Sequence, residues 1–478
     1  MNPSLATLIC ASGIAGLFYL DRDSSLRTSK ALWLPVVWLW IVGSRAVSAW
    51  LGVTPTGANV QLEGSPLDAA VLGALSVTAI GVLIRRNRQA RKLLAANWPI
   101  LIYFLYCLVS VAWSYHPDVS FKRWIKAIGD LAMVLVIATE PRLRDALYRL
   151  FSRVGFLLFP TSVLLIKYYP DLGRGYTPDG APMNTGVTTN KNMLGVLVLV
   201  ISLGTLWRVI TLMRATGQSE RGRRLLAQSV LLAFGIALFG MANSSTSTAC
   251  FVLGGGLILA TSLRAIRSKP ARVHMLCMAI VVTGGLILLL GGESIATNAL
   301  GRNPDLTGRT DIWAAVIPSA PNSIVGAGFE SFWISPFVQN FQRKMVGFWH
   351  PEELNEAHNG YIEVYLNLGL VGVCLILLIL ISGYRRATAA FRLDQSAGSL
   401  MLAYLIAAGV YSITEAGFRM LDPIWVLLLL AVVSSSAITD GPFGGKTPKV
   451  SASRRSTPRR TSAINTLAPE RELFTQPD

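Results

Sequence analysis

The sequence predicts an all-α fold, a polytopic transmembrane helical bundle, on three observations. The 478 residues are 52% hydrophobic and only 14% charged, with a mean hydropathy of +0.49, whereas a soluble chain carries about 25% charge. The apolar residues gather in stretches of roughly 17–22, long enough to cross a hydrocarbon core of about 30 Å as helices. The segments between these stretches alternate between arginine-rich and arginine-poor.

The candidate spans, about thirteen by the length criterion, are 4–20, 31–50, 68–84, 97–113, 125–139, 150–166, 192–213, 225–241, 247–263, 273–291, 361–382, 397–414 and 423–439. The first lacks the basic n-region of a secretory signal peptide and counts as a span. Basic clusters follow alternate spans: Arg22, Arg27 and Lys30; Arg85 to Lys92; Arg142, Arg144 and Arg149; Arg208 to Arg224; Arg264 to Arg272; Arg385 to Arg392. This is the positive-inside pattern, so these loops are expected in the cytoplasm and the net charge of +17 is mainly a topology signal, not a nucleic-acid footprint. The external face then collects 51–67, 114–124, 167–191, 242–246, 292–360 and 415–422, with the N-terminus outside. Residues 1–440 form the membrane domain. Residues 441–478, with "VSASRRSTPRRTSA", have too little apolar content for a core and are expected to be a disordered, basic cytoplasmic tail.

The long external loop, 292–360, is too long for a mere connector. A short helix is expected to open near Thr307–Thr310 and to end at Pro318, and "IVGAGFESFW" supplies a glycine turn with exposed aromatics suited to the membrane interface. All five cysteines fall in apolar runs without metal-ligand spacing. No internal repeat is evident, which argues against an inverted-repeat transporter.

Chemistry-bearing residues concentrate on the external side. In "NEAHNGYIEVYLNLGLVG", His358 stands where the long loop meets the next span. A neutral imidazole there can accept a proton from an attacking hydroxyl. His358 and Glu363 lie about 140° apart around a helix, which is not a two-ligand metal arrangement. Arg309 in "TGRTDIW", Lys191 in "GVTTNKNMLG", and Lys122 and Arg123 in "WSYHPDVSFKRW" are exceptions to the cationic depletion of external loops, and together suit phosphate or diphosphate. Other acids read as structural: "DRD" at Asp21–Asp23 is cytoplasmic without supporting ligands, and Glu352, Glu353 and Glu356 read as an exposed acidic loop. Asp130, inside a span, reads equally as a proton relay or as a structural hydrogen-bond partner.

These motifs resemble the bacterial O-antigen ligase and polymerase superfamily, and within it the ExoQ-like exopolysaccharide polymerisation proteins. "WSYHPDVSFKRW", "TGVTTNKNMLG", "TGRTDIW", "IVGAGFESF", "EAHNGYIEVYLNLGLVG" and "ITEAGFRM" occur in the family's order from about residue 110 to 430. The sequence departs from the pattern at Asn190, where members often carry His, and at "NSSTSTA", where many carry Arg or Lys. The resemblance implies a GT-C-like, metal-independent glycosyltransferase that needs no cofactor. It would work at the periplasmic face of the bacterial inner membrane, moving a glycan from undecaprenyl pyrophosphate to a sugar hydroxyl. It also implies a chain-length regulator and export proteins as partners. Catalysis would fall to His358 and Arg309, and substrate contacts to Lys191, Asn192, Arg123, Asn359, Glu363 and Glu415. An O-antigen ligase, a protein O-oligosaccharyltransferase and a lipid-linked oligosaccharide flippase are the alternatives.

Overall fold

A computed structural model describes residues 2–53, 64–177, 180–215, 220–289, 307–338 and 355–440. The tail, Glu352 and Glu353 lie outside the described residues, as do parts of the long loop. The fold is all-α and polytopic. Its helices are α1 (Pro3–Leu20), α2 (Trp33–Val42), α3 (Pro66–Arg85), α4 (Asn87–Ala96), α5 (Trp98–Ser110), α6 (Pro117–Ala138), α7 (Leu143–Tyr168) and α8 (Lys191–Arg214). They continue with α9 (Arg221–Ala242), α10 (Ser245–Ser262), α11 (Pro270–Leu289), α12 (Thr307–Val316), α13 (Gly360–Leu393), α14 (Gln395–Tyr411) and α15 (Pro423–Asp440).

Local chemistry sets many of these boundaries. Asn2 caps α1 and Ser65 caps α3, each followed by proline at the first helical position, where the missing N–H costs nothing. The amphipathic α4, "NRQARKLLAA", meets α5 at a bend of 87° beside Asn97 and Pro99.

Among the described residues, eight helices are long and apolar enough to span a membrane, or nine if the bent α4–α5 pair is one span. The sequence-based count of about thirteen is higher for identifiable reasons. The 31–50 segment is interrupted by Gly43, Ser44 and Arg45, and α2 stops there after ten residues. The 125–139 segment belongs to a longer α6 that also carries Lys122, Arg123, Lys126 and Asp130. α14 is an apolar helix of 17 residues, enclosed by its neighbours.

The centre of the bundle is α8, α14 and α15, whose side chains are almost all buried. α1 and α3 lie at the periphery and present Leu8, Ile9, Val77, Ile80 and Ile84 outward, as lipid-facing helices do. One element was not anticipated: an antiparallel hairpin of β1 (Arg174–Tyr176) and β2 (Pro182–Asn184), with Gly175 opposite Met183.

Contacts sort the loops into two ends. At one end Arg86 pairs with Glu140 at 2.9 Å, Arg144 with Asp394 at 2.6 Å, Arg386 with Asp440 at 3.2 Å, and Arg224 with Asp23 at 2.5 Å. The "DRD" acids are thus structural partners of arginine and glutamine; Asp21 accepts from Gln228 at 2.9 Å. The other end holds the predicted chemistry.

Candidate functional site

α12 begins at Thr307, as the sequence predicts, and places Arg309 in its first turn. α13 begins at Gly360, capped by Asn359, whose Oδ1 accepts from the amides of Tyr361 and Ile362 at 2.9 and 3.0 Å. Asn359 Nδ2 donates to the Ile413 carbonyl at 2.8 Å, and the Gly360 amide to Ser412 O, so the start of α13 is tied to the end of α14.

Glu415, in the segment that follows α14, is the junction. Arg309 Nη2 lies 2.9 Å from Glu415 Oε1, Asn192 Nδ2 lies 3.3 Å from both carboxylate oxygens, and His358 Nδ1 lies 3.5 Å from Oε2. Three remote segments therefore meet at one carboxylate that is only 5% exposed. His358 Nδ1 is also 3.0 Å from Glu356 Oε1, and Glu356 Oε2 lies 3.3 Å from Arg419 Nη1. Arg419 Nε reaches Glu330 at 3.7 Å, and Arg123 donates to the Glu330 carbonyl. The resulting chain of alternating charge runs Arg309, Glu415, His358, Glu356, Arg419, Glu330.

The electrostatics change the expected state of His358. Burial opposes its charge, but the carboxylates of Glu356 and Glu415 outweigh burial and push its pKa up to about 10. Glu356 responds in kind: burial works upward, but His358, Arg419 and Arg309 hold it down to about 2. The two carboxylates therefore favour the charged imidazolium of His358 over the neutral imidazole expected from the sequence. Glu356, expected as part of an exposed acidic loop, is instead its closest partner.

Backbone strain gathers here as well. His358, Glu330 and Leu421 all have positive φ (49°, 51° and 56°), uncommon for non-glycine residues and typical of over-determined sites. Leu421 is held by its amide, which donates to Asp130 Oδ2 at 2.9 Å, while Trp38 Nε1 donates to Asp130 Oδ1 at 2.8 Å. Of the two roles open to Asp130, these bonds fit the structural one: it ties the Arg419 segment to α6.

The sequence reading expects Glu363 and Asn359 to meet substrate, but both side chains are engaged with the chain itself. Glu363 is 2% exposed and accepts from Trp333 Nε1 at 3.1 and 2.9 Å and from the Ala357 amide, next to His358. Asn359 caps and ties α13. They hold the backbone on either side of His358. Lys191 opens α8 beside Asn192, half-buried, with Asn190 as the helix cap. Lys122 is an exposed partner of Asp118 at 3.9 Å.

"IVGAGFESFW" also departs from expectation. Phe329 and Phe332 are buried, because α13 breaks at Gly369 (φ 64°) and the loop docks against the break. The amides of Ala327 and Gly328 donate to Leu366 and Asn367 carbonyls at 3.0 and 2.8 Å, and Leu370 and Val371 donate back to Ser323 and Ile324. Asn367 Oδ1 accepts from the Ser331 and Phe332 amides. A Cβ at Gly369 would fall inside the Ile324 backbone. The two motifs thus occur together because each satisfies the other's backbone.

Glu356, His358 and Glu415 each offer a ligand atom, and these lie within 4.8 Å of one another. The set is geometrically able to hold a cation, but Arg419 and Arg309 already neutralise its carboxylates.

Arg419, Glu356 and Glu330 were missed as site residues. Arg419 is open to the rule that singles out Arg309, being a cation in a segment expected to be external. Glu356, one of the acids before His358 that could suggest a metal, reads from sequence as part of an exposed acidic loop, and Glu330 gives no signal of its own.

The comparisons agree with the motifs. Residues 229–377 match a family model described as O-antigen ligase, a stretch that includes Arg309 and His358 but neither Glu415 nor Arg419. The exopolysaccharide production protein ExoQ of Rhizobium meliloti (strain 1021) is 24% identical over 292 residues, 60% of this chain. The match spans 64% of that protein's length. A putative polysaccharide ligase of Rickettsia typhi (strain ATCC VR-144 / Wilmington) is 22% identical over 414 residues, 78% of this chain and 94% of that protein.

Proposed function

Starting from the resemblance to O-antigen ligases and polysaccharide polymerisation proteins, we propose that this chain is a membrane glycosyltransferase. It would move a glycan from undecaprenyl pyrophosphate to a sugar hydroxyl at the periplasmic face of the inner membrane. The observation that carries this reading is the junction at Glu415, where Arg309, Asn192 and His358 converge on a single internal anion. A cationic cradle already matched to a carboxylate suits a diphosphate that competes for the same donors.

In this mechanism Arg309 exchanges Glu415 for the donor diphosphate, with Lys191 and Asn192 beside it. His358, as imidazolium, stabilises the charge that develops on the leaving diphosphate. The acceptor oxygen attacks the anomeric carbon, the sugar–phosphate C–O bond breaks, and the hydroxyl proton passes to the Glu415 carboxylate that Arg309 has released. The diphosphate is a good leaving group once its charge is met, so the chemistry calls for no cofactor. The reading is metal-independent because Arg309 and His358 supply the positive charge that the departing diphosphate needs.

The test uses purified full-length protein in vesicles with a defined lipid-linked donor. Product should form in EDTA, and Arg309→Ala and His358→Ala should lose about 10²–10³ in rate while still inserting. Chelator-sensitive wild-type activity, or near-normal rates in either variant, would remove the corresponding part of the mechanism.

A further inference from the structure

Arg45 has no part in the mechanism above, yet it stands where a cation is least expected. It follows α2 in "GSRA" and interrupts an apolar run at the end of the bundle that holds the site. The backbone on either side of it is fixed. Gly43 packs so closely on α8 that an added Cβ would meet Leu197 at 2.9 Å. Beyond Arg45, the Ser48 amide and hydroxyl both donate to Asp68 in the first turn of α3, at 2.9 and 2.5 Å.

The half-buried guanidinium turns to the segment between β2 and α8. Nε donates to the Thr188 carbonyl at 3.1 Å, and Nη2 donates to Thr185 Oγ1 at 3.3 Å and to the Gly186 carbonyl at 3.5 Å. Nη2 also donates to the Leu172 carbonyl, which stands just before β1, so Arg45 closes the base of the hairpin as well. The segment is tightly placed: Gly186 takes φ 54°, and an added Cβ there would meet Ser162 of α7 at 2.8 Å. Carbonyls turned out of helix and sheet in this way need a donor. A planar guanidinium, with five N–H groups in a rigid fork, can serve several of them at once.

From Thr188 the contacts run on into the site. Thr188 Oγ1 donates to the Asn190 carbonyl at 2.9 Å, and Asn190 Oδ1 accepts from the Met193 amide at 2.8 Å as the cap of α8. Asn192, in that first turn, reaches Glu415. We infer that Arg45 is a positioning residue of the site: it sets the 185–190 loop and thereby places Lys191 and Asn192 for the donor diphosphate. This rests on the glycosyl-transfer reading and adds to it a residue that acts only through others.

Full-length protein in vesicles is assayed with a lipid-linked donor as wild type, Arg45→Lys, Lys191→Gln and the double variant. Arg45→Lys keeps the positive charge but presents a compact ammonium in place of the fork, so it cannot hold the separated acceptors together. Donor KM should rise by about tenfold in each single variant, as loss of a charge-assisted contact does. Because Arg45 works through Lys191 and its neighbour, the double variant should rise by about ten- to thirtyfold, short of the product of about a hundredfold. Acceptor KM and Tm should stay close to wild type. Thr188→Val removes the hydroxyl between the loop and the α8 cap, and should by itself raise donor KM by about threefold or more. That variant decides the question even where Arg45→Lys fails to insert. Losses that multiply, or a donor KM unchanged in Arg45→Lys or Thr188→Val, overturn the inference. A lowered Tm or kcat with donor KM in place marks a purely structural arginine and overturns it too. Wild-type protein that forms no glycosidic bond defeats the glycosyl-transfer reading and this inference with it, whereas active wild type with multiplying losses overturns the inference alone.

Discussion

Replacing Glu356 by glutamine isolates the feature on which the site's electrostatics turn. Glu356 is the nearer of the two carboxylates that hold His358 charged, at 3.0 Å against 3.5 Å for Glu415. Together they overcome burial and carry the imidazole from an ordinary 6.5 to about 10. An opposite charge at this range is worth about 1–3 pKa units, each unit about 1.4 kcal/mol of preference for the charged form. The variant should therefore bring the pKa of His358 down to roughly 7–9. A glutamine side chain has nearly the shape of the glutamate it replaces, so the loop is preserved while the neutral amide gives up the charge.

The assay is the pH dependence of kcat/KM for glycan transfer by purified protein. If His358 works as a cation, wild-type activity holds through neutral pH and falls only on an alkaline limb near 10. In Glu356→Gln that limb moves towards neutrality, with rates below it close to wild type. An alkaline limb that stays in place in the variant would refute the pairing. Wild-type activity that rises with pH through the ordinary histidine range would refute the cationic role and restore the neutral base.

The same groups set a stability window. His358 has a raised pKa, so its contribution is full below about 6.5 and is lost as pH rises through about 10; Glu356 has a lowered pKa, so its contribution is full above about 4.5 and is lost as pH falls through about 2. Thermal unfolding in detergent should plateau between these limits and fall off outside them, and the alkaline decline should shrink in Glu356→Gln. Trp333→Phe removes an indole N–H from the buried Glu363 carboxylate and should cost about 1–3 kcal/mol, read as a lowered Tm, with a loss of activity as the Ala357–His358 turn loosens. Gly369→Ala forces a Cβ into the Ile324 backbone at φ 64°, and should abolish accumulation of folded protein; a variant of wild-type Tm would contradict the docked break in α13.

Much of the bundle is legible in the sequence because lipid imposes a uniform demand: every span must be long and apolar, and arginine marks one side. Where that demand is relaxed the reading fails. α2 ends at Gly43, where Ser44 and Arg45 interrupt the apolar run, and α6 carries charge along part of its length because it lies against protein and cavity rather than lipid alone. In the site, Arg309, Asn192, His358 and Glu415 stand out as polar residues in family motifs, and the structure gathers these four. Glu356 does not stand out, since an acid in an acidic loop looks solvated until the fold sets it against His358 and Arg419. The charge state of His358 is hidden for the same reason: it depends on Glu415, 57 positions away in the chain. The glycine-rich and "LNLGLVG" motifs look functional but serve the backbone, each supplying the hydrogen bonds that the other lacks.

The central claim is that Arg309 and an imidazolium at His358 grip a lipid diphosphate. Binding of undecaprenyl diphosphate to purified protein at pH 7 and again near pH 11, in wild type and Arg309→Ala, addresses it without any need for turnover. The account predicts tight binding by wild type at neutral pH, with affinity lost by about tenfold or more both in Arg309→Ala and on titrating His358. Affinity that is indifferent to Arg309 and to pH would contradict it.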